Sequence, residues 1–174
     1  RFHTKHPEAL LLTAWHNFWP QYMLGIEQTG NVAGLPNINR DGSLGISQWL
    51  VANGLPVDSF IDIGLIPIQL AVQILPEADA AVFPNLCQGG TNLVAMEGMA
   101  CGVPSVLSAN PGTSDLMYRT ICFTFFPPGR VKRTAHFPGV EGWGESDVAE
   151  VVDALEQVYT NREVAKNRGL AAAN

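Results

Sequence analysis

The chain has 174 residues, 47% hydrophobic and 15% charged, which is the composition of a globular domain with one core of ordinary size and excludes a disordered or fibrous chain. A formal charge of -6, with no basic cluster denser than Arg130, Lys132 and Arg133, argues against a nucleic-acid partner. No uninterrupted apolar run approaches the roughly 18 residues of a membrane span, so none is expected. The opening RFHTKHPEALLL has neither an initiator Met nor a signal peptide and enters an apparent strand almost at once, as a piece of a longer protein would.

In chain order, residues 8–15 form a short apolar run that reads as a buried strand. Pro20 can open a helix ending near Gly30, and residues 31–42 are loop chemistry throughout. Ser43 as N-cap and Gly54 as stop bracket a helix carrying Leu44, Trp49, Leu50 and Val51. A second strand follows at 60–66. The next helix, 68–78, should end or kink at Pro76. Residues 80–85 read as the third strand, 91–101 as a helix closed by Gly102 and Pro104, and 104–109 as the fourth strand. Residues 121–126 can add an edge strand. Residues 127–145 lack periodicity and read as a long loop. Ser146 can cap a helix whose apolar stripe is Val148, Val151, Val152, Leu155 and Tyr159, and the tail from Asn161 is a further helix.

Strands alternate with helices, and the strand runs are continuously apolar. That pattern predicts an α/β fold, a Rossmann-like parallel sheet with helices on both faces, with the four main strands as neighbours in one sheet. One domain is expected over 1–174. Cys87, Cys101 and Cys122 are widely spaced and odd in number, which points to free thiols in a reducing, cytoplasmic compartment. With His136 they offer no short metal-ligand spacing, so no metal site is expected.

In an open parallel sheet, ligands sit beyond the carboxyl ends of the strands. The segment NLCQGGTN lies there, between the third strand and its helix. Gly89 and Gly90 allow a close backbone approach, and the N–H groups from Gly90 to Leu93 can face a phosphate. Glu97 shares a helix face with Leu93 by the i,i+4 rule and can accept two hydrogen bonds from a ribose diol. The plainer alternative is a tight turn followed by a solvated Glu. Gly98, Met99, Ala100 and Cys101 nevertheless give Glu97 no charged neighbour, and an ionised carboxylate in apolar surroundings is costly without a partner.

The stretch ADAAVFPNLCQGGTNLVAMEGMACGVPSVLSANPGTSDL resembles the donor-site signature of GT-B glycosyltransferases of the family 4 type. FIDIGLIP upstream resembles the strand and loop that pack against the nucleobase, and GWGESDVAEVVDALEQVY resembles a later helix. The likeness covers residues 57–160, and its specific part is 79–115. It implies the C-terminal, nucleotide-sugar-binding half of a GT-B fold, truncated at its N-terminus and lacking the acceptor-binding domain. By that resemblance Glu97 matches the family Glu that holds the ribose. Gly90, Thr91, Asn92 and Leu93 match the turn and helix start that hold the diphosphate and sugar. Gly112 matches a second glycine loop.

The family's other Glu, which contacts the transferred sugar, would fall at Gly89 by the usual spacing. This sequence places Gln88 one residue earlier, an amide that can hydrogen-bond a sugar but cannot carry charge to a developing oxocarbenium ion. The family's basic pair against the diphosphate would lie upstream of Arg1 unless Arg1 or Lys5 replaces it. His16 is a further possible cleft residue. The resemblance thus implies transfer of a sugar from a nucleoside diphosphate to an acceptor hydroxyl with retention, without a metal or other cofactor. A non-catalytic nucleotide-sugar-binding or partner subunit and a sugar-nucleotide epimerase on the same fold are the alternatives. A dinucleotide oxidoreductase is disfavoured, because no G-x-G-x-x-G follows a predicted strand.

Overall fold

The computed structural model describes residues 1–16, 19, 26–27, 30–87, 89–126, 129–133 and 138–174. They fall into two compact units, Arg1–Ile68 and Gln69–Asn174. The helix expected from Pro20 to Gly30 falls mostly outside the described residues, and Gln88 and His136 lie outside them as well.

In the first unit a short helix α1, Phe2–Lys5, occupies the opening where the sequence reads as leading straight into a strand. Strand β1, Leu11–Thr13, then pairs in parallel with β2, Phe60–Asp62. Between them α2, Ile46–Ala52, buries Ile46, Trp49 and Leu50, and these cluster with Leu44. The indole of Trp49 is satisfied by donating to Gly34 O at 3.0 Å. The N-cap of α2 is Gly45 and not Ser43. Ser43 is engaged in a tighter local turn, donating to Asp41 Oδ1 from its hydroxyl at 2.7 Å and from its backbone N–H at 3.0 Å. Those hydrogen bonds, the hydroxyl's first, hold the Asp41 carboxyl below its ordinary range.

Helix α3, Ile68–Ile74, passes into a 3-10 turn over Leu75–Glu77, where Pro76 removes the donor an α-helix would need. In the second unit β3, Ala81–Phe83, β4, Ser105–Ser108, and β5, Phe123–Phe125, form a parallel sheet in that order. Strand β4 is central and buried along its whole length, and β5 is an edge. Side chains alternate between the faces, as strand geometry requires. Val106, Phe123 and Phe125 pack with Ala154, Val158 and Ala165, while Leu107 and Cys122 pack with Ala95 and Met99.

The first of these faces is covered by α5, Val148–Thr160, and the second by α4, Leu93–Ala100. Helix α6, Arg162–Ala172, contributes to both clusters through Ala165 and Ala172. It approaches the turn after α4 so closely that a Cβ on Gly169 would run into the carbonyl oxygen of Gly102. Burial pushes the Cys122 thiol up, partly offset by the nearby Arg168 charge, so the thiol stays protonated. Arg168 also donates to Cys122 O at 3.0 Å and lies 4.2 Å from the Phe123 ring centroid.

Further expectations are corrected. Apolar runs mark the strands and their direction but neither their burial nor their neighbours: the strand expected to be buried at 8–15 exposes Leu11 and Leu12, and among the described residues the expected single sheet is two parallel sheets, β1 with β2 and β3 with β4 and β5. The loop over 127–145 carries a small antiparallel ladder, β6, Gly129–Arg130, with β7, Gly144–Glu145. Helix α5 is capped by Asp147, whose carboxylate accepts from Ala149 N at 2.7 Å, and not by Ser146. Its buried face runs through Val151, Ala154 and Val158, rotated from the expected stripe so that Val148 is exposed. Small Ala154 lets the helix settle against Phe123 and Phe125, which supply the bulk.

Candidate functional site

Residues 84–92 leave the carboxyl end of β3 and residues 109–113 that of β4, the end at which an open parallel sheet places its ligands. The two loops are latched to one another. Asn92 caps α4 by accepting from Ala95 N at 3.1 Å, and its amide donates to Asn85 Oδ1 at 3.2 Å. The Asn92 backbone N–H donates to Gly112 O at 2.9 Å. The row of N–H groups expected to be open from Gly90 to Leu93 is therefore interrupted at Asn92, whose buried side chain shapes the loop.

Gly112 has φ +85°, so glycine is required there by backbone conformation. Gly89 and Gly90 differ. Neither has a positive φ, and a Cβ at either would meet nothing within 4 Å. The fold itself makes no demand for glycine at these two positions, which lie exposed at the mouth of the loop with Thr91.

Helix α4 turns Ala95, Gly98 and Met99 to the core. That places Leu93 and Glu97, four residues apart, together on the opposite arc. Leu93 is 67% exposed, and Val94 and Met96 are also open to solvent. Glu97 is half-buried in this apolar surface, and its side chain makes no hydrogen bond or ion pair among the described residues. Its i,i+4 relation to Leu93 at the helix start is as the spacing predicts.

Two side chains absent from the sequence reading organise this end of the sheet. Asn110, buried, donates to Asn85 O at 2.8 Å and to Gly144 O at 3.0 Å, while its Oδ1 accepts from Gly144 N at 2.7 Å. One amide thus joins the loops after β3 and β4 to strand β7. Thr113, also buried, donates to Ser108 O at 2.6 Å and closes the second loop on itself. The only signal for either was a polar residue just past a buried strand, which in SANPGTS reads as ordinary turn chemistry.

His16 belongs to the first unit, at the carboxyl end of β1, and its Nε2 lies 3.0 Å from Asp62 Oδ2. The same carboxylate accepts from Thr13 Oγ1 and Gly64 N, both at 3.2 Å. Asp62 is thereby satisfied several times over, and the cluster ties together the loops that follow β1 and β2. Arg1 precedes α1 and Lys5 ends it. Among the described residues no three His, Cys, Asp or Glu side chains converge as a metal site, and Cys87, Cys101 and Cys122 are free thiols. No described helix is long and apolar enough to cross a membrane.

A parallel sheet with helices on both faces, and paired loops at its carboxyl edge, define a Rossmann-like α/β fold. The family model described as "Glycosyl transferases group 1" matches residues 48–136, just over half of the chain, and the chain belongs to that family. No curated protein matches it. Among solved structures, Anabaena Alr3699/HepE in complex with UDP matches with TM-score 0.57 at 12% identity, covering 99% of this chain and 46% of that one. The same Anabaena protein in complex with UDP-glucose matches with TM-score 0.51 at 13% identity, covering 99% and 47%. Sucrose-phosphate synthase (tll1590) from Thermosynechococcus elongatus matches with TM-score 0.55 at 19% identity, covering 74% and 27%. The chain spans less than half the length of each of these structures.

Proposed function

We propose that residues 1–174 act as the donor-binding domain of a retaining glycosyltransferase. The bond from the anomeric carbon to the leaving diphosphate breaks, and a bond to an acceptor hydroxyl oxygen forms on the same face of the sugar. Glu97 carries this reading. A half-buried carboxylate without a partner, set in an apolar surface beside a glycine-bearing loop, has two acceptor oxygens suited to a ribose diol. Gly89 and Gly90 support it, since their lack of side chains answers no need of the fold. Family membership and the UDP and UDP-glucose complexes of the Anabaena structure favour a uridine diphosphate sugar as donor.

In this reading the α4 N-terminus and the backbone of Gly90, Thr91 and Leu93 face the diphosphate, with Asn92 and Gly112 fixing the loop. Gln88 faces the transferred sugar as the catalytic-position residue. Three free thiols favour a cytoplasmic setting.

Calorimetric titration with UDP-glucose, before and after Glu97→Ala, tests the reading. The substitution is expected to weaken binding by about 1–3 kcal/mol and to leave the thermal transition in place. Unchanged affinity, or loss of the folded transition, would make Glu97 structural. A second reading, a nucleotide-sugar-binding subunit without turnover, is favoured by the missing carboxylate: the family spacing would put it at Gly89, and this sequence has only the amide of Gln88 one residue earlier. Gln88→Glu separates the two. A transferase should change turnover more than donor affinity, and a binding subunit should show transfer in neither form.

A further inference from the structure

We propose that the cavity lined by the loop after β4 and by residues 129–133 and 140–144 is a subsite for an anionic group, a phosphate or carboxylate, borne by the transferred sugar or by the acceptor. The cavity is of about 640 Å³, within the roughly 300–1,000 Å³ typical of small-molecule sites. Asn110, Arg130, Arg133, Val140, Glu141 and Trp143 are among the residues that line it. Its position beside the donor loops gives it meaning only if the glycosyl-transfer reading holds, but its chemistry comes from residues that reading does not use.

The charge at this place runs against the rest of the molecule. The chain carries -6 overall with ten Lys and Arg, yet Arg130, Lys132 and Arg133 fall within four consecutive residues. Arg130 lines the cavity, and its side chain makes no hydrogen bond or ion pair among the described residues. Arg133 pairs with Glu141, both side chains being about two-thirds exposed, so the pair is well screened and exchangeable. Glu145 is the other acidic side chain of the hairpin, and its Cβ packs beside Gly129. Of the charged side chains that line the cavity, Arg130 and Arg133 stand against Glu141, which leaves it with one net positive charge.

Two guanidiniums offer the planar, forked donors that suit phosphate and carboxylate oxygens. Val140 and Trp143 add an apolar wall against which the carbon face of a sugar can lie. The subsite is fixed relative to the donor loop, because Asn110 is bonded to Asn85 on one side and to Gly144 on the other.

The test compares probes that differ by one anionic group. The protein is titrated calorimetrically with UDP-glucose against UDP-glucuronate and, with UDP present, with glucose against glucose 6-phosphate. The anionic member of one pair is expected to bind about tenfold more tightly. That advantage should vanish in Arg130→Gln and in the Arg130→Gln/Arg133→Gln double variant, and should survive Lys132→Gln, whose side chain does not line the cavity. A preference in the first pair places the group on the donor sugar, and one in the second places it on the acceptor. Equal affinities within both pairs, or a preference that persists in the double variant, would overturn the subsite. If neither UDP-sugar binds while glucose 6-phosphate keeps its Arg130-dependent advantage, the transfer reading falls and the subsite stands.

Discussion

The Asn110 side chain has three hydrogen bonds to two different segments, and the residue is buried. Truncating a buried side chain that satisfies backbone groups leaves those groups unpaired, at about 1–3 kcal/mol for each group left unsatisfied. Asn110→Ala should therefore lower stability by a few such units at most, and also loosen Asn85 and with it the loop that ends at Asn92. The measurable signature is a drop in thermal midpoint together with weaker UDP-glucose binding, although Asn110 lies outside the proposed donor contacts. A variant with lower stability and unaltered affinity would show that the two loops are positioned independently. At this scale the sequence was legible where a residue's chemistry is its own. Glu97 stands out because its neighbours are apolar. Asn110 does not, because its importance lies in partners 25 and 34 residues away, and no local pattern encodes those distances.

The ends of α5 show how two adjacent polar residues can be confused. Ser146 and Asp147 are both acceptable N-caps, and they are consecutive. In the fold Asp147 takes the cap, bonding Ala149 N, while the Ser146 hydroxyl is buried and makes no hydrogen bond among the described residues. Asp147→Ala is expected to cost about 0.5–2 kcal/mol. Ser146→Ala removes a hydroxyl that satisfies nothing and should be neutral or slightly stabilising. Chemical denaturation of the two variants distinguishes them, and the reverse order would mean that the cap is shared. Most elements were readable from periodicity and punctuation. Pro76 breaks α3 as expected, Gly102 follows α4 at φ +76°, and the β3–β4–β5 strands appear where continuous apolar runs place them. The β6–β7 ladder was not readable, since two-residue strands containing glycine and charged residues carry no alternation.

Taken as a whole, the chain distributes its order unevenly. In the second unit β4 is flanked by strands on both sides and buried at every residue. In the first unit β1 and β2 pair only with each other among the described residues, and Leu11, Leu12 and Ile61 remain exposed. Parallel pairs of this kind gain little by themselves. Amide hydrogen exchange should show residues 105–108 and 123–125 protected far longer than 11–13 and 60–62. Equal protection of both sheets would mean that the chain opens as one cooperative body.

The contact of Gly169 with the turn at Gly102 bears on events at the opposite end of α4. Helix α6 presses its backbone against the residues where α4 ends, and Ala172 joins the cluster that seats Ala95 and Met99. The C-terminal helix thus acts as a wedge under the heel of the helix whose toe carries Leu93 and whose middle carries Glu97. A methyl group at Gly169 must push the two apart, because its nearest neighbours are backbone atoms of Gly102 and Pro104, which cannot swing aside. Gly169→Ala should cost about 1–3 kcal/mol as overpacking. The displaced heel should also tilt the toe, so that UDP-glucose affinity falls in a variant altered more than seventy residues along the chain from Glu97. Full affinity in a destabilised Gly169→Ala protein would show that α4 is held by the sheet alone, and that its C-terminal brace can be remodelled without disturbing the site.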